Sequence, residues 1–402
     1  MSDFEDIRPY SDNEVRAVLD RLVNEPELIK TILDFRFSSW PGLLRPILAS
    51  ATRFSLKRKV KRINSIRDLQ LIIEKYMHHV IDTSTHGINV TGVENLSPDK
   101  PHLFISNHRD IVLDPAFINL SLHQNGIDTM RIAIGDNLLG KDWIADLMRL
   151  NKSFVVKRSV KTVRQKLLAS KQLSKYVYVS MTEENANMWI AQREGRAKDG
   201  NDFTNSAVIS MLLLNKPKPQ VVEEYIHALR IVPVSISYEY DPCDVSKALE
   251  LYERKASGQY EKQHNEDILS IASGIQGEKG RVNVHFDKVL SASEVFSFEN
   301  AKAVASEIER SIIGHYVLMP TNIAAAMLVD NPLTESQLQE VKGTITNAEI
   351  EKAKAYLIAR FAPYPEAVKQ EGYSAYAAPV FNQIAVKNGE ALAPFVELEG
   401  DI

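Results

Sequence analysis

Short apolar runs alternate with helical stretches through the middle of the chain, from about residue 86 to residue 318. The apolar runs that predict strands are 88–91, 102–106, 131–134, 153–157, 188–192, 230–238 and 281–286. The stretches between them that predict helices are 115–123, 141–150, 160–176 and 203–214. Strands that alternate with helices of this length require crossover connections, which place neighbouring strands parallel. We therefore expect an α/β domain over 86–318, with a mostly parallel central sheet flanked by helices.

Both flanks of this region show helical periodicity instead. Apolar residues recur at helical spacing in 12–35 and 66–81, which predicts a helical N-terminal region over 1–85. After residue 318, the segments 321–329 and 348–361 again indicate helices, so we expect a helical C-terminal region over 319–402.

Composition excludes several classes of protein. The chain has 402 residues, of which 44% are hydrophobic and 25% charged, as in ordinary globular proteins and unlike disordered or collagen-like chains. The 48 basic and 52 acidic residues leave a net charge of −4, which gives no basic field for nucleic acid. The single cysteine, Cys243, excludes paired-cysteine chemistry and fits a reducing compartment.

The charge is unevenly distributed, however. No run approaches the roughly 20 apolar residues of a membrane-spanning helix, so we expect a cytoplasmic protein. Yet the stretch 35–67 contains no acidic residue and mixes arginine and lysine with aromatic and aliphatic side chains. Such a pattern suits a segment that docks on an anionic lipid surface, on the cytoplasmic face of a membrane. A basic helical hairpin that packs its apolar face into the protein is the alternative interpretation.

Common catalytic motifs are missing. The sequence has no GxSxG, Walker or HExxH motif, and Gly274, Gly277 and Gly280 predict only a loop before a strand. His78 and His79 lack a further ligand nearby in sequence, so we expect no metal site.

One block combines a histidine with two carboxylates. His108 follows the predicted strand 102–106, and Asp110 and Asp114 come two and six residues later. Side chains that follow parallel strands meet at the edge of the sheet where active sites form. A histidine there can remove a proton from a hydroxyl group when a carboxylate orients the ring. Asp114 is also a good helix cap before Pro115, which is the structural alternative.

Cationic residues follow two further predicted strands, and they predict a pocket that binds phosphate. Lys157 ends the run 153–157 and Arg158 follows it, while Arg193, Glu194, Gly195 and Arg196 follow the run 188–192. A strand with an internal proline, Pro233, comes next.

These blocks resemble, in order, the motifs of the glycerolipid acyltransferases. The similarity is greatest to the glycerol-3-phosphate acyltransferase branch: 194–200 is similar to its EGGRSRTG block with one glycine missing, and 231–240 resembles its strand ending in a Tyr-Glu pair. The segment 280–290 resembles its later GxVxVxF strand. In the family four residues separate the histidine from the aspartate, whereas Asp114 lies one residue further from His108.

The resemblance implies transfer of a fatty acyl group from acyl-CoA or acyl carrier protein to the sn-1 hydroxyl of glycerol-3-phosphate, without a cofactor, in phospholipid biosynthesis. His108 would be the general base, oriented by Asp114 or Asp110. The substrate-binding residues implied or expected at the strand ends are Asn107, Arg109, Gly135, Asp136, Lys157, Arg158, Arg193, Glu194, Gly195, Arg196 and Pro233.

Other functions stay open at this point. The acceptor can instead be 1-acylglycerol-3-phosphate (lysophosphatidate), acylated at sn-2, or another acceptor such as dihydroxyacetone phosphate or an ornithine lipid. An alternative of a different class is a non-catalytic module that binds a lipid or an acyl carrier. The cationic blocks favour a phosphorylated acceptor.

Overall fold

The computed structural model describes residues 2–37, 44–258, 260–261, 266–291 and 299–390. The helices are α1 Val15–Leu22, α2 Pro26–Arg36, α3 Arg45–Val60, α4 Ile66–Ser84, α5 Leu113–Gln124, α6 Asp142–Leu150, α7 Val163–Thr182, α8 Ser206–Leu213, α9 Val222–Leu229, α10 Asp244–Ser257, α11 Glu266–Gln276, α12 Ala301–Gly314, α13 Pro320–Ala326, α14 Glu335–Val341, α15 Asn347–Phe361 and α16 Glu366–Lys387. The strands are β1 Ile88–Thr91, β2 Leu103–Ser106, β3 Arg131–Gly135, β4 Ser153–Val156, β5 Met188–Ala191, β6 Ile231–Tyr238 and β7 Val282–Phe286.

The chain divides into two compact units. The first contains Met1–Tyr76 and Met130–Tyr176, and the second contains Met77–Thr129 and Val177–Ile402. The domain boundaries expected at residues 85 and 318 stay a prediction.

The strands confirm an α/β fold with a mostly parallel sheet. In the second unit the strand order is β1-β7-β6-β2-β5, with β1 parallel to β7 and β2 parallel to both β6 and β5. The pair β6–β7 is antiparallel. In the first unit β3 and β4 are parallel, and the Val155 N–H donates to the Ile7 carbonyl oxygen at 2.8 Å beside them. Each predicted apolar run is thus a strand.

Burial explains why β2 and β6 form the centre of the second unit. All four residues of β2 and all eight residues of β6 are buried. Their near-continuous apolar sequences suit strands that are covered on both faces, as in parallel sheets. These rigid strands carry the loops that bear the candidate functional residues.

The N-terminal helices differ in how much apolar surface they bury. α1 buries Val15, Val18, Leu19 and Leu22 in a core of the first unit. α3, in contrast, buries none of its residues, and Ile47 and Phe54 are 67% and 71% exposed. Residues 38–43 of the stretch 35–67 lie outside the described residues. Among the described helices none is long and apolar enough to cross a membrane.

The C-terminal helices build a second core around α13, α15 and α16. α15 begins at a capping box, in which the Thr346 N–H donates to Glu349 at 3.0 Å and the Glu349 N–H donates to the Thr346 hydroxyl at 3.3 Å. α16 runs over 22 residues with Pro379 inside it, in a part of the C-terminal region where the sequence pattern predicts no individual helix.

Candidate active site

The candidate residues of the second unit follow the carboxyl end of β2. The chain leaves β2 at Asn107, which is fully buried. Its side-chain amide donates to the Ile236 carbonyl oxygen at 2.8 Å and accepts from the Ile236 N–H at 2.8 Å. This two-point contact with β6 fixes the path of the chain into His108. Asn107 therefore positions the loop through the backbone of its neighbour strand.

His108 forms a hydrogen-bonded pair with Asp114. The His108 Nδ1 atom lies 2.8 Å from Asp114 Oδ2. The Asp114 side chain is completely buried, whereas that of His108 is 14% exposed. Because an ionised carboxylate can only accept, this contact places the proton on Nδ1 and leaves a lone pair on Nε2. That tautomer is the one a general base requires.

Asp114 is held by four hydrogen bonds. Besides His108, its Oδ2 atom accepts from the Arg109 N–H at 2.6 Å and the Asp110 N–H at 2.9 Å. Its Oδ1 atom accepts from the Tyr238 hydroxyl at 2.6 Å. Burial, together with the charge of Asp114, raises the pKa of Tyr238 well above its usual value, so the phenol stays protonated and donates. Tyr238 belongs to the Tyr-Glu pair noted in the sequence, but its contact with Asp114 was not predicted.

Asp110 has a different role from Asp114. Its Oδ1 atom accepts from the N–H groups of Val112 at 2.9 Å and Leu113 at 2.8 Å, which caps the first turn of α5. Burial and the nearby charge of Asp114 raise the pKa of Asp110. Its other oxygen lies against Gly274, where a Cβ atom would stand 2.1 Å away. Gly274 belongs to α11 rather than to the predicted loop.

The loop after β5 lies beside the histidine. The Gln192 N–H donates to the Ser106 carbonyl oxygen at 2.8 Å, and the Ala197 N–H donates to the His108 carbonyl oxygen at 2.8 Å. The second bond anchors the segment that holds the predicted residues Arg193, Glu194, Gly195 and Arg196. Gly195 has a φ of +70°, a left-handed conformation that favours glycine in this turn.

Arg196 is a cation of this loop that interacts electrostatically with Asp110. Its charge acts on the carboxyl group of Asp110 and helps to oppose the rise in its pKa. Within the part of the chain that the structure describes, its side chain has no hydrogen bond or ion pair, and it is partly exposed. A guanidinium in this state is able to bind an anionic ligand.

Arg109 points away from solvent into the protein. Its guanidinium donates to Asp202 at 2.6 Å and to the Gly200 carbonyl oxygen at 3.0 Å. The carbonyl oxygen of Arg109 accepts from Lys247 Nζ at 2.7 Å. Gly200 also approaches α16 so closely that a Cβ atom there would lie 1.9 Å from the Ala375 carbonyl oxygen. In this structure Arg109 thus ties the histidine loop to the loop that follows β5.

Four predicted binding residues belong to the first unit. Asp136 accepts from the N–H groups of Arg158 at 2.9 Å and Ser159 at 3.1 Å. Although partial burial opposes this, the hydrogen bonds from Ser159 and Arg158 lower the pKa of Asp136. Gly135 lies under the Arg158 side chain, and Lys157 is paired with Asp6. These four residues therefore form a local cluster after β3 and β4.

Pro233 completes the predicted set and lies opposite Ile105 in the β2–β6 pair. The structure brings together His108, Asp114 and the loop containing Arg196, and it adds two residues that sequence reasoning missed. One is Tyr238, and the other is Trp189 on β5, whose ring meets that of His108 edge-on at 5.5 Å. The remaining roles assigned from sequence stay predictions.

Comparison with known proteins points to the same segment. Residues 87–237 match the family model described as Acyltransferase, a range that includes His108, Asp114 and Arg196. Among solved structures, the chain is similar to the 1-acyl-sn-glycerophosphate (LPA) acyltransferase PlsC from Thermotoga maritima, with 14% identity and a TM-score of 0.32 over 74% of this chain and 96% of that chain. Comparison with curated proteins gives no match.

Proposed function

We propose that this chain is a glycerolipid acyltransferase and that it transfers a fatty acyl group from a thioester to the sn-1 hydroxyl of glycerol-3-phosphate. The donor in this proposal is acyl-CoA or acyl carrier protein. The observation that carries the proposal is the His108–Asp114 pair, with Nε2 of His108 ready to accept a proton. The loop that bears Arg196 is hydrogen-bonded to the histidine segment beside it.

The proposed reaction uses His108 as the base. Nε2 removes the proton from the acceptor hydroxyl while its oxygen attacks the thioester carbonyl carbon. The resulting imidazolium is stabilised by Asp114, whose position is fixed by Tyr238 and the loop N–H groups. When the tetrahedral intermediate collapses, the new C–O bond is retained, the C–S bond breaks, and the imidazolium proton passes to the thiolate.

The proposed acceptor rests on the branch that the sequence resembles. The Tyr-Glu pair of that branch is Tyr238 and Glu239 here, and Glu239 accepts from Arg281 Nε at 3.0 Å at the start of β7. Arg196 supplies a guanidinium suited to a phosphate monoester. Because glycerol-3-phosphate and lysophosphatidate both carry a phosphate monoester, the preference for glycerol-3-phosphate in this proposal rests on the resemblance to that branch.

Product analysis with the two acceptors tests this proposal. Palmitoyl-CoA is offered with glycerol-3-phosphate or with lysophosphatidate, and we expect lysophosphatidate as the product of the first reaction. Arg196→Ala should raise the KM for glycerol-3-phosphate and leave that for palmitoyl-CoA unchanged. Phosphatidate formed only from lysophosphatidate would contradict the acceptor and favour sn-2 transfer. If no thiol is released when either acceptor is offered, the result would favour a non-catalytic lipid- or carrier-binding module.

We also propose that α3 docks on an anionic membrane at the cytoplasmic face. The helix contains Arg45, Arg53, Lys57, Arg58 and Lys59 and no acidic residue. Its exposed Ile47 and Phe54 can enter the lipid interface while the basic residues attract lipid phosphates. The complete lack of buried residues in α3 supports this interpretation over a hairpin packed into the protein.

Vesicle co-sedimentation tests the docking. We expect the protein to pellet with phosphatidylglycerol vesicles at low salt, and to be released as salt rises because the attraction is electrostatic. The double substitution Ile47→Glu and Phe54→Glu should abolish this binding. Leu269→Glu is the matched control, because Leu269 on α11 is 64% exposed but lies outside the basic helix. The docking would be contradicted by binding that does not change with salt concentration. It would also be contradicted if the double variant of Ile47 and Phe54 binds as well as Leu269→Glu.

A further inference from the structure

Three potential metal ligands meet where β7 and α12 end. His285 lies on β7, Asp287 follows that strand directly, and His315 follows α12. One ligand atom from each of the three side chains lies within 4.8 Å of the other two. No other group of His, Cys, Asp or Glu side chains in the described ranges meets this distance.

Each of these side chains is oriented by a further hydrogen bond. His285 Nδ1 lies 2.8 Å from the Thr91 hydroxyl, because His285 and Thr91 are paired across β7 and β1. His315 Nδ1 lies 3.0 Å from the Ser311 carbonyl oxygen, and the Ser311 hydroxyl donates to Asp287 Oδ2 at 2.5 Å. One nitrogen of each ring, Nδ1, thus contacts an oxygen atom at hydrogen-bond distance. The other nitrogen, Nε2, is left to bind a metal ion. This is the outer-shell arrangement that accompanies histidines bound to metals.

The side chains are also close enough to converge on one ion. The two imidazole rings stack with centroids 4.2 Å apart, and one ligand atom of each of the three side chains lies within 4.8 Å of the others. In a tetrahedral zinc site with bonds of about 2.0–2.1 Å, ligand atoms stand about 3.3 Å apart. The ligand atoms must therefore move closer together by up to about 1.5 Å. A rotation of the His315 side chain, which is 43% exposed, can bring its ring nitrogen this much nearer to the other two ligands.

We propose that His285, Asp287 and His315 bind a Zn²⁺ ion. Two imidazole nitrogens and one carboxylate oxygen are ligands that zinc prefers, and water completes the fourth position because His315 is exposed. The site joins the end of β7 to the end of α12, which is the next described element along the chain. Its role is structural, since a shared ion would hold these elements together.

The ligands of this site are distinct from the residues that the proposed acyl transfer uses. β7 is antiparallel to β6, and His285 is paired with Ser235 in the middle of β6. His108 follows the carboxyl end of β2, which is parallel to β6. Among the described residues, none of the three proposed ligands shares a hydrogen bond with His108 or Asp114, and we expect zinc to change stability rather than turnover.

Metal binding to the full chain tests the proposal. After dialysis against a chelator, calorimetric titration with Zn²⁺ should show one saturable site, and Co²⁺ should give the visible absorption of a four-coordinate complex. Zinc should raise Tm, because only the folded protein brings the three ligands together. His315→Ala should weaken binding by more than about 100-fold, since a lost ligand costs more than a lost outer-shell contact.

Two further variants separate a specific site from general binding to histidines. Thr91→Val retains all three ligands and removes the contact to His285 Nδ1, so it should weaken Zn²⁺ binding by about 10–100-fold. His86→Ala removes another exposed imidazole of the same unit and should leave binding unchanged. The absence of saturable binding, or equal affinity in the wild type and His315→Ala, would overturn the proposal.

Discussion

The hydrogen bonds of individual residues show which aspartate is paired with His108. The sequence left Asp110 and Asp114 as alternatives, because both lie within a few residues of His108. Asp110 caps α5, and this turn directs two loop N–H groups at Asp114 Oδ2 beside the imidazole. Asp114 is thereby the partner of His108 even though it lies one residue further away than in the family pattern. Sequence spacing does not reveal this because the choice depends on the fold of the intervening turn.

Substituting each aspartate by asparagine should separate the two roles. Asp114→Asn should lower kcat by about 10³–10⁴-fold, since a neutral amide no longer stabilises the imidazolium or holds its tautomer. Asp110→Asn retains an oxygen that can accept from Val112 and Leu113, so we expect most of the activity to remain. Steady-state assays on both folded variants make the comparison. A larger loss in Asp110→Asn than in Asp114→Asn would contradict the assignment.

Among the secondary-structure elements, strands were more predictable than helices. Their buried apolar runs stand out between polar segments, and all seven agree with the structure to within a residue or two. α16 was not predicted as one helix, because Gly372 and Pro379 lower helix propensity locally. Tertiary packing explains the glycine: a Cβ atom at position 372 would lie 2.3 Å from the Phe361 ring. That requirement is invisible in the local sequence.

The end of α4 is joined to the start of β7 by a buried lysine. Lys279 Nζ donates to the Ser84 hydroxyl at 2.7 Å and to the Gly277 carbonyl oxygen at 2.6 Å, and its side chain is fully buried. Burial lowers the pKa of Lys279 to about 8. Between pH 8 and about 10.5 the unfolded chain therefore holds a proton on this residue that the folded chain has lost, so stability rises with pH.

The pH dependence of unfolding tests this effect. The free energy of unfolding of the wild type minus that of Lys279→Met should increase from pH 8 to pH 10.5, with a slope of at most about 1.4 kcal/mol per pH unit. Denaturant titrations across this range measure it. Lys161→Met, at an exposed position, is the control and should show no such increase. If this difference in the free energy of unfolding stays constant or decreases with pH, burial does not lower the pKa of Lys279.

For the whole molecule, total composition concealed the features that matter for function. The net charge of −4 gives no indication of the acid-free helix α3, which leaves Ile47 and Phe54 exposed. The sequence did predict the α/β fold and the histidine, aspartate and arginine blocks. It could not predict Tyr238 against Asp114 or the anchoring of the arginine loop on His108, because both depend on strands that are distant in sequence but adjacent in the sheet.

The central claim is that His108 is the base of an acyl transfer. The most direct measurement is thiol release from palmitoyl-CoA with glycerol-3-phosphate, for the wild type and for His108→Ala, with circular dichroism to show that both are folded. We predict acceptor-dependent release by the wild type and a decrease of about 10²–10⁴-fold in the variant, the usual contribution of a general base. A folded His108→Ala variant with activity close to that of the wild type would contradict the account.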